Sequence, residues 1–166
     1  MPKKTIFIVM GVSGCGKSTI GSLLAKKMNL IFYDGDDYHD ASNVKKMSQG
    51  IPLTDRDREK WLERLHQLAA ESKEQGAVIA CSALKVSYRK ILSQHIEQYM
   101  QFVHLDGSKQ EILDRLQRRK DHFMPAGLLD SQFDSLEPPK EAIRVSISNT
   151  PEEMVLKIIE QLKNRI

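Results

Sequence analysis

Thr5-Ile6-Phe7-Ile8-Val9-Met10-Gly11-Val12-Ser13-Gly14-Cys15-Gly16-Lys17-Ser18 is the stretch that decides the fold. Its first six residues are apolar or β-branched and close on a glycine, the pattern of a buried strand. From Lys17 to Met28 the apolar residues Ile20, Leu23, Leu24 and Met28 recur at helical spacing. Between strand and helix, Gly11 to Ser18 matches G-x-x-x-x-G-K-[ST] at every fixed position. Glycines there let the backbone curl so that successive N–H groups point at a phosphate. The helix behind the loop adds its positive end. In such a loop Lys17 serves as a mobile charge for the β- and γ-phosphates, and the Ser18 hydroxyl as a ligand for Mg²⁺.

Outward from this loop, strands and helices alternate. Strands are expected over Leu30 to Tyr33, Ala77 to Cys81, Phe102 to Leu105 and Val145 to Ile147. Helices are expected over Thr54 to Gln75, Tyr88 to Tyr99, Lys109 to Arg119 and Pro151 to Leu162. Asn149-Thr150-Pro151 supplies a good start for the last of these, and Thr54 with Asp57 forms a capping box for the first. Alternation of this kind predicts an α/β fold with a parallel sheet covered on both faces. Two stretches interrupt it, Asp34 to Asp57 and His122 to Pro139. Insertions at the carboxyl ends of such strands usually cover the ligand.

Composition sets the outer limits. A chain of 166 residues fits one domain, and 40% hydrophobic with 28% charged residues is an ordinary globular mix. No apolar run has the length of a membrane span, and the apolar start before Gly11 is too short for a secretory leader. Cys15 and Cys81 form neither a zinc pattern nor a disulfide framework. A reduced, cytoplasmic setting is expected, with no membrane partner. The formal charge of +3 comes without a basic block, so no nucleic-acid partner is expected. Cys15 lies in the phosphate loop. The helix N-terminus and Lys17 act to lower its pKa, whereas the plainer reading is one small residue standing in for another.

The acceptor side is read from Asp34-Gly35-Asp36-Asp37-Tyr38-His39, which follows the second strand, read here as buried. Phosphoryl transfer to a hydroxyl needs Mg²⁺ and a group that takes or orients the hydroxyl proton. Asp34 is placed to hold a Mg²⁺ water and Asp36 to face the hydroxyl, while Asp37 suits a helix cap. Arg58 is either an ordinary exposed helix arginine or a fork for a carboxylate or phosphate. Arg115 and Arg119, four residues apart, share one helix face toward the second insertion. Ser82 and Lys85, at the end of the third strand, are within reach of the same cleft.

With these residues in place the sequence resembles the gluconokinase family. The resemblance rests on the phosphate loop, Asp34-Gly35-Asp36-Asp37-Tyr38-His39, Asn43, Gly50-Ile51-Pro52-Leu53-Thr54-Asp55, Asp57-Arg58 and Trp61-Leu62. Cys81-Ser82-Ala83-Leu84-Lys85, Tyr88-Arg89, His122-Phe123-Met124-Pro125 and Ser131-Gln132-Phe133 extend it over nearly the whole chain. It implies a nucleoside-monophosphate-kinase-like P-loop fold with a five-stranded sheet in the order 2-3-1-4-5. It implies one domain over 1–166, a substrate-binding insertion about 34–57 and a lid about 119–139. It implies ATP and D-gluconate as substrates, Mg²⁺, and a homodimer. Carried over to ATP are Gly11, Val12, Ser13, Gly14, Cys15, Gly16, Lys17, Ser18 and Thr19, with Arg115 and Arg119 in the lid. Asp36, His39, Arg58, Lys85 and Gln132 fall on the substrate side, Ser18 and Asp34 at the metal, and Lys17, Asp36 and Arg119 at the reaction centre.

Three positions depart from the family pattern: Cys15 for serine, Lys60 for the proline before the tryptophan, and Asp121 for the glycine before His-Phe. The second is expected to loosen the start of the long helix, and the third to alter the lid hinge. Two rivals remain at this level. A shikimate or nucleoside-monophosphate kinase would share the loop, the early aspartates and the lid. A regulatory ATP-binding protein would share the loop alone.

Overall fold

The structure is a computed structural model, and it describes residues 4–118 and 126–165. Five parallel strands form one sheet: β1 (Ile6–Met10), β2 (Ile31–Asp34), β3 (Ala77–Ala80), β4 (Met100–Asp106) and β5 (Ile143–Ser146). Their order is β2-β3-β1-β4-β5, as the family resemblance implied. In register, Ile8 of β1 lies beside Ile79 of β3 and Phe102 of β4.

The central strand explains its own composition. Every residue of β1 is buried, because successive side chains point to opposite faces and both faces are covered. Phe7 and Val9 join a core with α1 (Lys17–Met28), α5 (Lys109–Arg118), α6 (Ala126–Ser135) and α7 (Pro151–Asn164). Ile6, Ile8 and Met10 join the opposite core with α3 (Asp55–Glu71) and α4 (Val86–Ser93). The first insertion folds into a single 3-10 turn over Gly35–Tyr38 followed by α2 (Ala41–Ser48).

Helix starts follow local chemistry. Thr54 and Asp57 make the full capping box at α3, and Lys60 stands exposed in that helix. Thr150 caps α7, with Pro151 in its first turn. Four expected elements change. β2 is the sheet edge and only half-buried, with Ile31 56% exposed, so Asp34 does not end a buried strand. α3 stops at Glu71 rather than Gln75, because Ser72 caps it through its hydroxyl to the Leu68 carbonyl. The helix expected over Tyr88 to Tyr99 breaks after Ser93: His95 takes a left-handed φ of 65° and a short 3-10 turn over Glu97–Tyr99 follows. β5 starts at Ile143 and alternates buried and exposed, as an edge strand does. Among the described residues no helix is long and apolar enough to cross a membrane.

Candidate active site

Beyond the carboxyl ends of β1, β2 and β3, several of the expected residues line one cleft of about 240 Å³. Its lining includes Ser13 and Lys17, Asp36, His39 and Arg58, and Ser131 and Gln132 of α6. Ser82, at the end of β3, reaches the same space. A concavity lined by this many convergent polar groups suits a small polar molecule.

The phosphate loop is built around close backbone approaches. A Cβ on Gly11 would sit 2.7 Å from the Cys15 sulfur and 3.0 Å from the Leu105 carbonyl. Gly16 caps α1 at φ 96°, a conformation that favours glycine. Lys17 donates from Nζ to the carbonyls of Gly11 and Val12, both at 3.1 Å. The Arg115 guanidinium lies against the loop, with Nη1 3.6 Å from where a Gly16 Cβ would be, and donates to the Ile147 carbonyl beyond β5. Arg119, Asp121 and the His122 to Pro125 segment lie outside the described residues. Cys15 is fully buried, and burial pushes its thiol up, outweighing the nearby Lys17 charge and the loop amide. Activation of this thiol by the helix end is therefore overridden by desolvation.

Ser18 donates from its hydroxyl to Asp34 Oδ2 at 2.7 Å, and Asp34 Oδ1 accepts from the backbone of Asp36 at 3.1 Å. One carboxylate thus ties the end of β2 to the first turn of α1 and sets where Asp36 stands. Two hard oxygen donors this close are the kind of protein contribution that suits Mg²⁺, which takes one or two such ligands and completes its shell with water and phosphate oxygens.

Arg58 is not an ordinary exposed helix arginine. Its Nη1 donates to the Leu53 carbonyl at 2.6 Å and to the Tyr88 hydroxyl at 3.1 Å. Tyr88, 3% exposed, donates in turn to Asp55. Asp55 also accepts from Lys85 at 3.0 Å, and the Tyr88 and Lys85 bonds hold its carboxyl below the usual range. Lys85 is thereby drawn to the outside of this cleft wall. It lines a neighbouring groove with Asp130, Asp134 and Glu137 instead.

Gln132 grips the phosphate loop itself. Its carbonyl oxygen accepts from the Ser13 backbone N–H at 2.6 Å, and its amide nitrogen donates to the Ser13 hydroxyl at 2.8 Å. The chain beyond α6 is pinned to the end of β3. Glu137 donates from its backbone to the Leu84 carbonyl at 2.8 Å, and its side chain accepts from Val86 N–H at 2.9 Å.

His39 stacks on Trp61 with ring centres 4.0 Å apart and planes at 16°. The Trp61 indole N–H donates to the Gly35 carbonyl at 2.7 Å. Burial holds the His39 pKa below the ordinary imidazole value, against the pull of Asp36 and Asp40. Sequence reading placed Trp61 in the helix core face and gave no role to Tyr88, Asp55 or Asn43. Apolar spacing accounts for Trp61, and nothing local signals that its indole edge reaches the acceptor loop.

Comparison with known proteins gives a consistent picture. A family model described as shikimate kinase matches residues 13–163. A protein of Escherichia coli (strain K12) named thermosensitive gluconokinase is 45% identical over 170 aligned residues, covering 96% of this chain and 90% of the relative. A probable gluconokinase of Xenopus tropicalis is 50% identical, covering 81% and 79%. Among solved structures, a gluconokinase from Sinorhizobium meliloti 1021 superposes with a TM-score of 0.89 at 37% identity, covering 96% of this chain and 92% of that one.

Proposed function

The chain belongs to the gluconokinase family of P-loop kinases, and from that premise we propose that it transfers the γ-phosphoryl group of ATP to a hydroxyl of D-gluconate, giving 6-phospho-D-gluconate and ADP. The observation that carries this reading is the cleft that Lys17 lines together with Asp36, His39 and Arg58. Lys17 is suited to phosphate, and the other three offer a carboxylate, an imidazole and a guanidinium to a hydroxylated acid.

Each residue has a part that follows from its chemistry. The loop from Gly11 to Thr19 holds the ATP phosphates through backbone N–H groups, and Lys17 swings from its carbonyl partners onto the β- and γ-oxygens. Arg115 adds charge beside Gly16, and Arg119 is assigned to the nucleotide by resemblance. Ser18 and Asp34 would hold Mg²⁺, which when bound neutralises charge shared by the β- and γ-phosphates. Asp36 accepts the hydrogen of the attacking hydroxyl and orients its lone pair toward phosphorus. Arg58, fixed by Leu53 and Tyr88, pairs with the carboxylate of the acceptor. Gln132 joins the acceptor side to the phosphate loop through Ser13. Lys85 serves the acceptor indirectly, by holding Asp55 beneath Tyr88. The family reading also carries a homodimer, which light scattering on the purified protein tests.

The first test is ADP release with Mg-ATP alone and with D-gluconate, shikimate or AMP. Stimulation by gluconate alone is expected. Turnover on shikimate or AMP instead would keep the phosphate chemistry and discard the acceptor, and ATP binding without acceptor-stimulated release would favour a regulator. Asp36→Asn is expected to lower kcat by about 10²-fold or more, with ATP affinity little changed. Near-normal turnover would remove Asp36 from the reaction centre.

A further inference from the structure

We propose that Asn43 fixes His39 as the neutral tautomer protonated on Nε2, making His39 a hydrogen-bond donor to the acceptor in the cleft. The donor role rests on the acceptor reading above; the tautomer does not.

Asn43 is buried, 3% exposed, and its side-chain nitrogen lies 2.8 Å from the backbone carbonyl of Asp57. A carbonyl oxygen can only accept, so the group facing it is the NH₂, and the amide orientation is fixed by chemistry. The same NH₂ lies 3.3 Å from His39 Nδ1. It has no lone pair to offer, so Nδ1 is the acceptor and the ring proton sits on Nε2. Rotation of the ring is limited by its stacking on Trp61, which is itself anchored at Gly35. Asn43 is held by its backbone N–H to Asp40 Oδ1 at 2.8 Å.

Protonating Nδ1 would set N–H against N–H. The charged groups around the ring are Asp36 on the 3-10 turn and Asp40 before α2, which favour the cation, and Arg58 on α3, which opposes it. Burial sides with Arg58, and the balance favours the neutral ring. No described residue engages Nε2. The cleft then presents an acceptor at Asp36 and donors at His39 and Arg58. A hydroxyl can give to the first and receive from the second, and a carboxylate can only receive. The opposite tautomer would aim a lone pair at those oxygens.

The direct test is long-range ¹⁵N–¹H correlation on the full chain labelled at histidine nitrogen, without ligand. His39 is expected to show a protonated Nε2 and an unprotonated Nδ1, and the reverse pattern overturns the proposal. Asn43→Asp, whose carboxylate only accepts, is expected to raise the His39 titration midpoint and, at a pH above that midpoint, to hold the proton of the neutral ring on Nδ1 and raise the gluconate KM about tenfold. The ATP KM is expected to stay near wild type. An unchanged tautomer in that variant would refute the lock. Should it fail to fold, His39→Gln and His39→Asn serve, because the glutamine NH₂ falls near Nε2 and that of asparagine near Nδ1. The glutamine variant is expected to keep the lower gluconate KM, and equal values would refute the donor role. Absence of gluconate turnover in the native protein, with the Nε2 proton seen, would overturn the substrate reading and leave the lock intact.

Discussion

Replacing Gly35 with alanine perturbs the acceptor loop without touching any group proposed to contact a ligand. A Cβ built on Gly35 lies 2.3 Å from the Ala80 carbonyl oxygen and 3.3 Å from Leu65 Cδ1. The first neighbour is backbone of β3, so no rotamer change relieves it. Real Cβ atoms essentially never come closer than 3.0 Å, so the turn over Gly35–Tyr38 has to move out by about 0.7 Å. Overpacking of this kind costs about 1–3 kcal/mol, and in a chain of this length each kcal/mol lowers Tm by about 2–4 °C. A fall of roughly 2–12 °C in a thermal melt is expected on that basis. The movement also carries Asp36 away from the phosphate loop, and misplacement near 1 Å costs up to about 10²-fold in rate. The assay is kcat for gluconate-stimulated ADP release beside the Kd of a non-hydrolysable ATP analogue. Reduced kcat with a modest change in Kd is expected, since the loop from Gly11 to Ser18 is untouched. Wild-type Tm and kcat together would refute the claim that the backbone contact between Gly35 and β3 positions Asp36.

Tyr88→Phe removes the hydroxyl between Arg58 and Asp55. Two charge-assisted bonds are lost; the one to Arg58 bears on the acceptor and is worth about 1.5 kcal/mol, so the gluconate KM is expected to rise about tenfold with the ATP KM unchanged. Cys15, buried and with its thiol pushed up by burial, is expected to resist iodoacetamide in the native protein and react only on unfolding, as read by mass spectrometry. His39 and His104 both have pKa values lowered by burial. The unfolded chain binds more protons than the folded one between the lowered and the ordinary imidazole values. Stability is therefore expected to be complete above about pH 6.5 and to fall as pH drops through that window, and His104→Asn should flatten the slope measured by urea unfolding.

What the sequence made legible was local. The phosphate loop, the first helix and the caps at Thr54 and Thr150 each depend on residues within one or two turns of each other, so spacing is enough to read them. Strand alternation with helices gave the α/β class for the same reason. Where the reading slipped, the deciding neighbour was distant. Ile31 to Asp34 is apolar enough for a buried strand, yet it lies at the sheet edge, and edge position is a property of the strand order. Ile143 to Ser146 alternates because only one of its faces is covered. Leu92 and Ile96 keep a helical spacing through a break that His95 makes by turning left-handed.

The site divides along the same line. Sequence by itself determined the phosphate-loop pattern over Gly11 to Ser18 and which acidic and basic residues accompany it, because those are facts of residue type and spacing. Only the tertiary structure decided how they stand. It set Ser18 against Asp34, turned Lys85 away toward Asp55, pinned Gln132 on Ser13, and stacked His39 on Trp61 under the hand of Asn43. The physical reason is that a hydrogen bond acts over about 3 Å. Such contacts join residues up to 119 positions apart, and only the folded sheet brings them within that reach.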